Sequence, residues 1–251
     1  MSKFYFNNKE VYYEIIGNGP PVLLLHGNSA SSKMFSSLID LYEKQFKLIL
    51  IDYPGHGQSQ RIDEFPVDYW YENSKVVMEL IKHLGLEKVN LIGTSGGAQV
   101  ALNVALEYPE VINKVIADSF EGEKSIASFA ENIEEDRRNS KDFEGARAFW
   151  QYNHGLDWEK VVDRDTQAIK RHYKEIGCFF HKELSNLKVP VLLVGSKEDE
   201  FMSNIIENIY EDLLKKIPDS SIYLFEKGGH PAILTNMDEF FKIVKDFFPA
   251  K

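Results

Sequence analysis

The sequence predicts an α/β protein: an open, mostly parallel sheet covered by helices on both faces, with a helical segment inserted between two late strands. Three observations carry this reading. Short aliphatic and β-branched runs alternate with amphipathic stretches along most of the chain, the pattern of repeated strand–helix units. The runs are apolar on both faces, as strands inside a parallel sheet must be. One stretch, from Phe120 to about Glu183, breaks the alternation with charge and aromatics and no convincing buried strand.

Taken in order, Lys3–Phe6 and Glu10–Ile16, parted by Asn7-Asn8, read as an antiparallel hairpin. Pro21–Leu25, Leu48–Ile51, Lys88–Ile92, Lys114–Ala117, Val189–Val194 and Ser221–Phe225 supply the remaining strands. Helices are predicted over Val67–Leu84, Gly96–Tyr108, Asn204–Lys216 and Met237–Phe248. In the first, Val76, Val77, Leu80, Ile81 and Leu84 form the stripe of a helix packed on one side. Pro109 and Pro218 stop two of the others. The expected organisation is a core of residues 1–119 and 184–251, with 120–183 inserted as a helical cap.

With 251 residues, 43 % hydrophobic and 27 % charged, the chain can bury a large core without a metal or disulfide staple. Its net charge of −10 argues against nucleic acid and against an anionic membrane surface as partners. A single cysteine, Cys178, excludes an internal disulfide framework and suits a reducing compartment. Neither a signal-peptide pattern nor an apolar run of about 20 residues is present, so a cytoplasmic location is expected.

The strongest chemical signal is Gly93-Thr94-Ser95-Gly96-Gly97, set between a predicted strand and a predicted helix. This is G-x-S-x-G in the strand–turn–helix setting that lifts a serine hydroxyl above a sheet. The glycines clear the space that a sharp turn needs, and the helix N-terminus offers backbone N–H groups to an oxyanion. Alone, the pentapeptide also fits a phosphate-binding turn, although the chain carries neither G-x-G-x-x-G nor a P-loop.

Two further segments resolve the choice. His26-Gly27-Asn28 follows the first long strand, and Asp52-Tyr53-Pro54-Gly55-His56-Gly57-Gln58-Ser59 follows the next. With the serine turn, they resemble the α/β-hydrolase family over almost the whole chain. That resemblance implies an oxyanion hole from the backbone amides of Asn28 and Gly96, and structural roles for His26, Asp52 and His56. It also implies a base at His230, in Gly228-Gly229-His230 before the final helix, and an acid after the penultimate strand. Asp199 is the choice in Lys197-Glu198-Asp199-Glu200-Phe201, with Glu198 a rival on spacing and Asp118 a third option. The order Ser95, Asp199, His230 is that of the family. His83, His154, His172 and His181 read as surface or cap residues in helices, and no pair has metal-ligand spacing.

The implied activity is a cofactor-free serine hydrolase acting on carboxylic esters of small to medium, apolar substrates, with a small-molecule ester as partner. Ser95 in place of an aspartate argues against dehalogenases and epoxide hydrolases. The His26-Gly27-Asn28-Ser29-Ala30 turn differs from those of proline iminopeptidases and meta-cleavage hydrolases. Amide or C–C hydrolysis, acyl transfer or perhydrolysis, and a non-hydrolytic receptor remain as alternatives. The cap aromatics read as the cap's own core or as pocket lining, and Glu134-Glu135-Asp136-Arg137-Arg138 as a solvated helix face.

Overall fold

A computed structural model describes residues 2–202 and 204–248, so both outer ends of the predicted core segments lie outside the described residues. The strands are β1 (Ser2–Phe6), β2 (Lys9–Ile16), β3 (Pro21–Leu25), β4 (Lys47–Ile51), β5 (Val89–Thr94), β6 (Ile112–Asp118), β7 (Val191–Ser196) and β8 (Ser220–Phe225). They form one sheet in the order β1-β2-β4-β3-β5-β6-β7-β8, antiparallel from β1 through β4 and parallel from β4 to β8.

The helices are α1 (Ile39–Tyr42), α2 (Tyr69–His83), α3 (Gly96–Glu107), α4 (Ala127–Ser140), α5 (Glu144–His154), α6 (Trp158–Glu175), α7 (Ile206–Lys216), α8 (Ala232–Thr235) and α9 (Met237–Phe247). Alternation along each strand assigns the two apolar layers. Leu23, Leu25, Leu91, Val115 and Leu193 face α2, α3 and α7, while Val22, Leu24, Ile92, Ile116 and Val194 face α9. Every residue of β5 is buried, which explains its apolar run on both faces.

The predicted strands all form, with ends shifted by a few residues at most. The helix predicted from Asn204 begins two residues later, because Asn204 takes a left-handed φ of +67° that a helix cannot contain. The α1 turn, the 3-10 turn over Ser32–Leu38 before it and the four-residue α8 were not anticipated, being too short to show a period.

The irregular segment is α4, α5 and α6, inserted between the neighbouring strands β6 and β7. Its two ends pair before the helices begin: Phe179 N donates to Glu123 O at 3.0 Å and Ser125 N to Gly177 O at 3.0 Å. The predicted solvated face of α4 holds for Glu134, Glu135 and Arg138. Arg137 departs from it and turns inward onto Asp165 of α6. No helix among the described residues is long and apolar enough to cross a membrane.

Candidate active site

Ser95 stands between β5 and α3 with φ +55° and ψ −128°, the strained geometry expected of a serine at a strand-to-helix turn. The turn is tied down where Ser95 N donates to Asp118 O at 2.8 Å and Ala98 N to Ser95 O at 2.8 Å. Gly97 is required because a Cβ there would overlap the Leu25 carbonyl, the last residue of β3. A Cβ at Gly96 would likewise strike Asn28 Oδ1, so the two residues expected to donate to an oxyanion are in close contact. Asn28 is fixed from the other side by Trp70 of α2, whose Nε1 donates to Asn28 Oδ1 at 3.2 Å. As the first residue of α3, Gly96 has an N–H with no helical acceptor.

His230 follows β8, and its Nδ1 lies 2.8 Å from Asp199 Oδ2. The other Asp199 oxygen accepts from Phe201 N at 3.0 Å, and the side chain is fully buried. With Nδ1 donating to the carboxylate, Nε2 is left as the acceptor. Both neighbours of Asp199 act on the backbone of the His230 turn. Glu200 Oε2 accepts from His230 N at 2.9 Å, and Glu198 Oε2 from Gly228 N at 3.4 Å. Of the two rivals on spacing, it is Asp199 that meets the imidazole.

Asp118, the third option, ends β6 and is fully buried. Its oxygens accept from Ser119 Oγ at 2.9 Å and Ile233 N at 3.3 Å, not from His230. Burial pushes its carboxyl up to about 7, with Ser119 and nearby His230 acting in the opposite direction. Its oxygens are committed to Ser119 and the start of α8, which leaves Asp199 as the carboxylate that meets His230.

The residues expected to be structural are so placed. His26 is buried, accepts from Tyr53 N at 3.1 Å and approaches Gly27 O at 2.8 Å. Burial, then His56, holds its pKa well below the ordinary histidine value. Asp52 accepts from Ser32 N at 2.7 Å and Gln58 N at 2.6 Å, closing its glycine-rich loop. His83 is exposed in α2, His181 lies beyond α6 in a bend, and His154 and His172 are buried rather than superficial. Cys178 is half-buried near Phe180 O. Among the described residues no His, Cys, Asp or Glu cluster could hold a metal ion.

Ser95, Gly96, Asn28 and His230 all line one cavity of about 500 Å³ beneath the cap. Its wall is mostly apolar, with Met34, Phe120, Phe129, Ile133, Phe149 and Trp150. Four of these belong to the aromatics noted in the insert. Phe143, by contrast, is 69 % exposed and takes no part in the wall. Sequence reasoning did not find Glu121, a residue that also lines the cavity; its carboxyl accepts from Ile126 N at 2.8 Å and is pushed by burial up to about 7. Nor did it find Trp70 or Glu200, which carry no motif.

A family profile described as the alpha/beta hydrolase fold matches residues 20–161, more than half of the chain. The serine hydrolase BPHL of Mus musculus is 28 % identical over 98 % of this chain and 85 % of that protein. A proline iminopeptidase of Lactobacillus helveticus is 27 % identical over 98 % and 96 % of the two chains. Among solved structures, the enol-lactonase from Burkholderia xenovorans LB400 superposes with a TM-score of 0.76 at 17 % identity, covering 98 % of this chain and 99 % of that one.

Proposed function

Since the chain belongs to the α/β-hydrolase fold family, we propose that it is a serine hydrolase cleaving carboxylic esters of small to medium, apolar substrates through an acyl-enzyme on Ser95. One observation carries the reading: a histidine hydrogen-bonded to a buried carboxylate at 2.8 Å shares an apolar cavity with a serine on a strained strand-to-helix turn. In this reading His230 Nε2 takes the Ser95 proton as Oγ attacks the carbonyl carbon. Asp199 stabilises the imidazolium without accepting its proton. The oxyanion forms against the Asn28 and Gly96 amides, each worth about 3 kcal/mol by comparison with other such donors. The imidazolium then protonates the leaving alcohol, and water deprotonated by His230 releases the acid. Residues 120–183 act as the cap that sizes the acyl pocket.

A second reading, an ester or amide whose acid carries a hydrogen-bond donor, is favoured by Glu121. It lines the cavity together with Gln99, whose buried Oε1 has no partner. The likeness to a proline iminopeptidase means that the His26–Ala30 turn alone does not set peptidases aside.

The test is hydrolysis of a p-nitrophenyl ester series by wild type, Ser95→Ala and His230→Ala. Both substitutions are expected to lower kcat by roughly 10⁴-fold or more, and the chain-length optimum measures the pocket. A wild type no faster than Ser95→Ala on every ester would sink the esterase reading.

A further inference from the structure

The buried stripe of α6 runs through Val161, Val162, Ala168 and Ile169, and Asp165 sits in the middle of it. A carboxylate there is costly unless it is paired and put to use. It does not line the cavity. Its Oδ2 accepts from Ser29 N at 3.0 Å, and its Oδ1 lies 2.6 Å from Arg137 Nη1. Two more cap residues hold Ser29. His154 Nδ1 accepts from Gly57 N at 3.1 Å, so its Nε2 carries the proton and donates to Ser29 O at 3.0 Å. Trp150 Nε1 donates to Ser29 Oγ at 3.2 Å. The N–H, the carbonyl and the hydroxyl of one core residue are thus all bound from the cap.

Ser29 directly follows Asn28. It has a φ of +52°, a strained conformation for a non-glycine residue that persists only where surroundings impose it. The N–H that Asp165 holds belongs to the peptide joining Asn28 to Ser29, so this bond anchors Asn28 on its C-terminal side. Trp70 fixes the Asn28 side chain independently. An oxyanion donor works by being aimed before the charge develops, and a displacement of about 1 Å can cost a factor of about 10².

We propose that Asp165, assisted by His154 and Trp150, is a positioning residue for the oxyanion hole: by gripping Ser29, the cap holds the Asn28 amide toward Ser95. The inference rests on the reading of Asn28 as an oxyanion donor. It makes the cap part of the catalytic geometry as well as the pocket wall. The groups facing Asp165 are suited to this. Burial alone would raise its carboxyl, but Arg137 and His56 outweigh that and hold it at about 2, while burial keeps His154 down at about 3. Near neutral pH the acceptor is therefore ionised and the His154 donor is in its neutral, single-tautomer form.

The test compares Arg137→Met/Asp165→Asn with Arg137→Met/Asp165→Leu, so that neither variant strands a buried charge. The asparagine carbonyl can still accept from Ser29 N, and leucine cannot. With the proposal correct, the leucine variant has a kcat roughly 10–100-fold below the asparagine variant, with KM of the two within about 3-fold. Its affinity for a trifluoromethyl ketone, which forms a tetrahedral oxyanion on the serine, falls by a similar factor, while affinity for the matching alcohol holds. Equal kcat and equal ketone affinity in the two variants would overturn the proposal, leaving Asp165 a latch alone. Should the leucine variant fail to fold, His154→Phe removes the donor to Ser29 O. There, kcat is expected to drop about 10-fold at nearly constant KM, and an unchanged kcat overturns the proposal. Failure of the esterase reading itself would show separately, as a wild type with no turnover above Ser95→Ala.

Discussion

The sheet and the seam between cap and core are held by different mixtures of force. Around the sheet, two apolar layers of fully buried Leu, Ile, Val and Phe close over both faces. At the seam Val161, Ala168 and Ile169 of α6 extend the apolar layer under α2, and polar contacts are threaded among them. Ser31 N and Oγ both donate to Asn153 Oδ1, at 2.9 and 2.8 Å, and Arg61 makes paired bonds of 2.8 and 3.0 Å to Asp157. Lys33 Nζ reaches Tyr152 O at 3.0 Å. An apolar core side chain is worth about 1.5–3 kcal/mol of burial that water cannot replace. A hydrogen bond at the seam is worth a net of about 0.5–1.5 kcal/mol, because water takes over both partners when it opens. The difference teaches that the sheet supplies permanence and the seam supplies placement.

The largest expected effect separates the residues carried at the sheet's edge. Asp199→Ala is expected to lower kcat by about 10³–10⁴-fold, whereas Glu198→Ala, which releases one backbone N–H, changes it by less than about 5-fold. Steady-state kinetics on a single ester decides this, and equal losses in the two variants would reverse the assignment of the acid.

Next in size is stability. Leu193→Ala, in the middle of β7, is expected to cost about 2–5 kcal/mol in denaturant unfolding, with loss of amide protection throughout the sheet. Ser31→Ala is expected to cost about 1 kcal/mol, with faster exchange confined to α5 and the loop it meets. If Ser31→Ala lowered protection of the sheet as well, cap and core would be one cooperative unit and the contrast would fail.

The smallest effect is one of pH, and it has opposite signs for the buried histidines and the buried carboxyls. His154 and His172, both in the cap, have pKa values lowered by burial to about 3 and about 4, so unfolding takes up protons below the ordinary value of 6.5. Their contribution is complete above 6.5 and is lost as the pH falls through 4 and 3. Asp118 and Glu121, raised to about 7, behave the other way: their contribution is complete below the ordinary carboxyl range and is lost as pH rises through 7. Stability measured from pH 4 to pH 7.5 should therefore fall less steeply toward neutral pH in Glu121→Gln, and less steeply toward acid in His154→Phe. Parallel profiles for wild type and both variants would remove the distinction.

What could be read in advance follows the same division. The strands were legible because buried parallel strands demand long apolar runs, and Ser95 because its turn admits few residues beside it. His230 and Asp199 were legible through the resemblance of their loops to those of the family. The seam was not legible. Asp165 has the sequence surroundings of any surface helix acid, and its burial depends on Arg137, 28 positions earlier in a charged run that reads as solvated. His154 and His172 do fall in the cap, one of the two places expected, but their burial was not legible, since a helical histidine bears no mark of which face will be covered. Polar groups that work through long-range pairing leave no period and no motif in the chain.

The stem of the insert has a consequence of another kind. The chain leaves the sheet after β6 and returns to it at the adjacent β7, and Glu123–Ser125 runs against Gly177–Phe179 in between. A segment entered and left through one narrow gate can be lengthened, shortened or exchanged by recombination without disturbing the register of any strand. Under the proposed function, selectivity is then replaceable wholesale while the chemistry stays put, and under the proposed role of Asp165 the incoming segment must bring its own acceptor for the Ser29 amide.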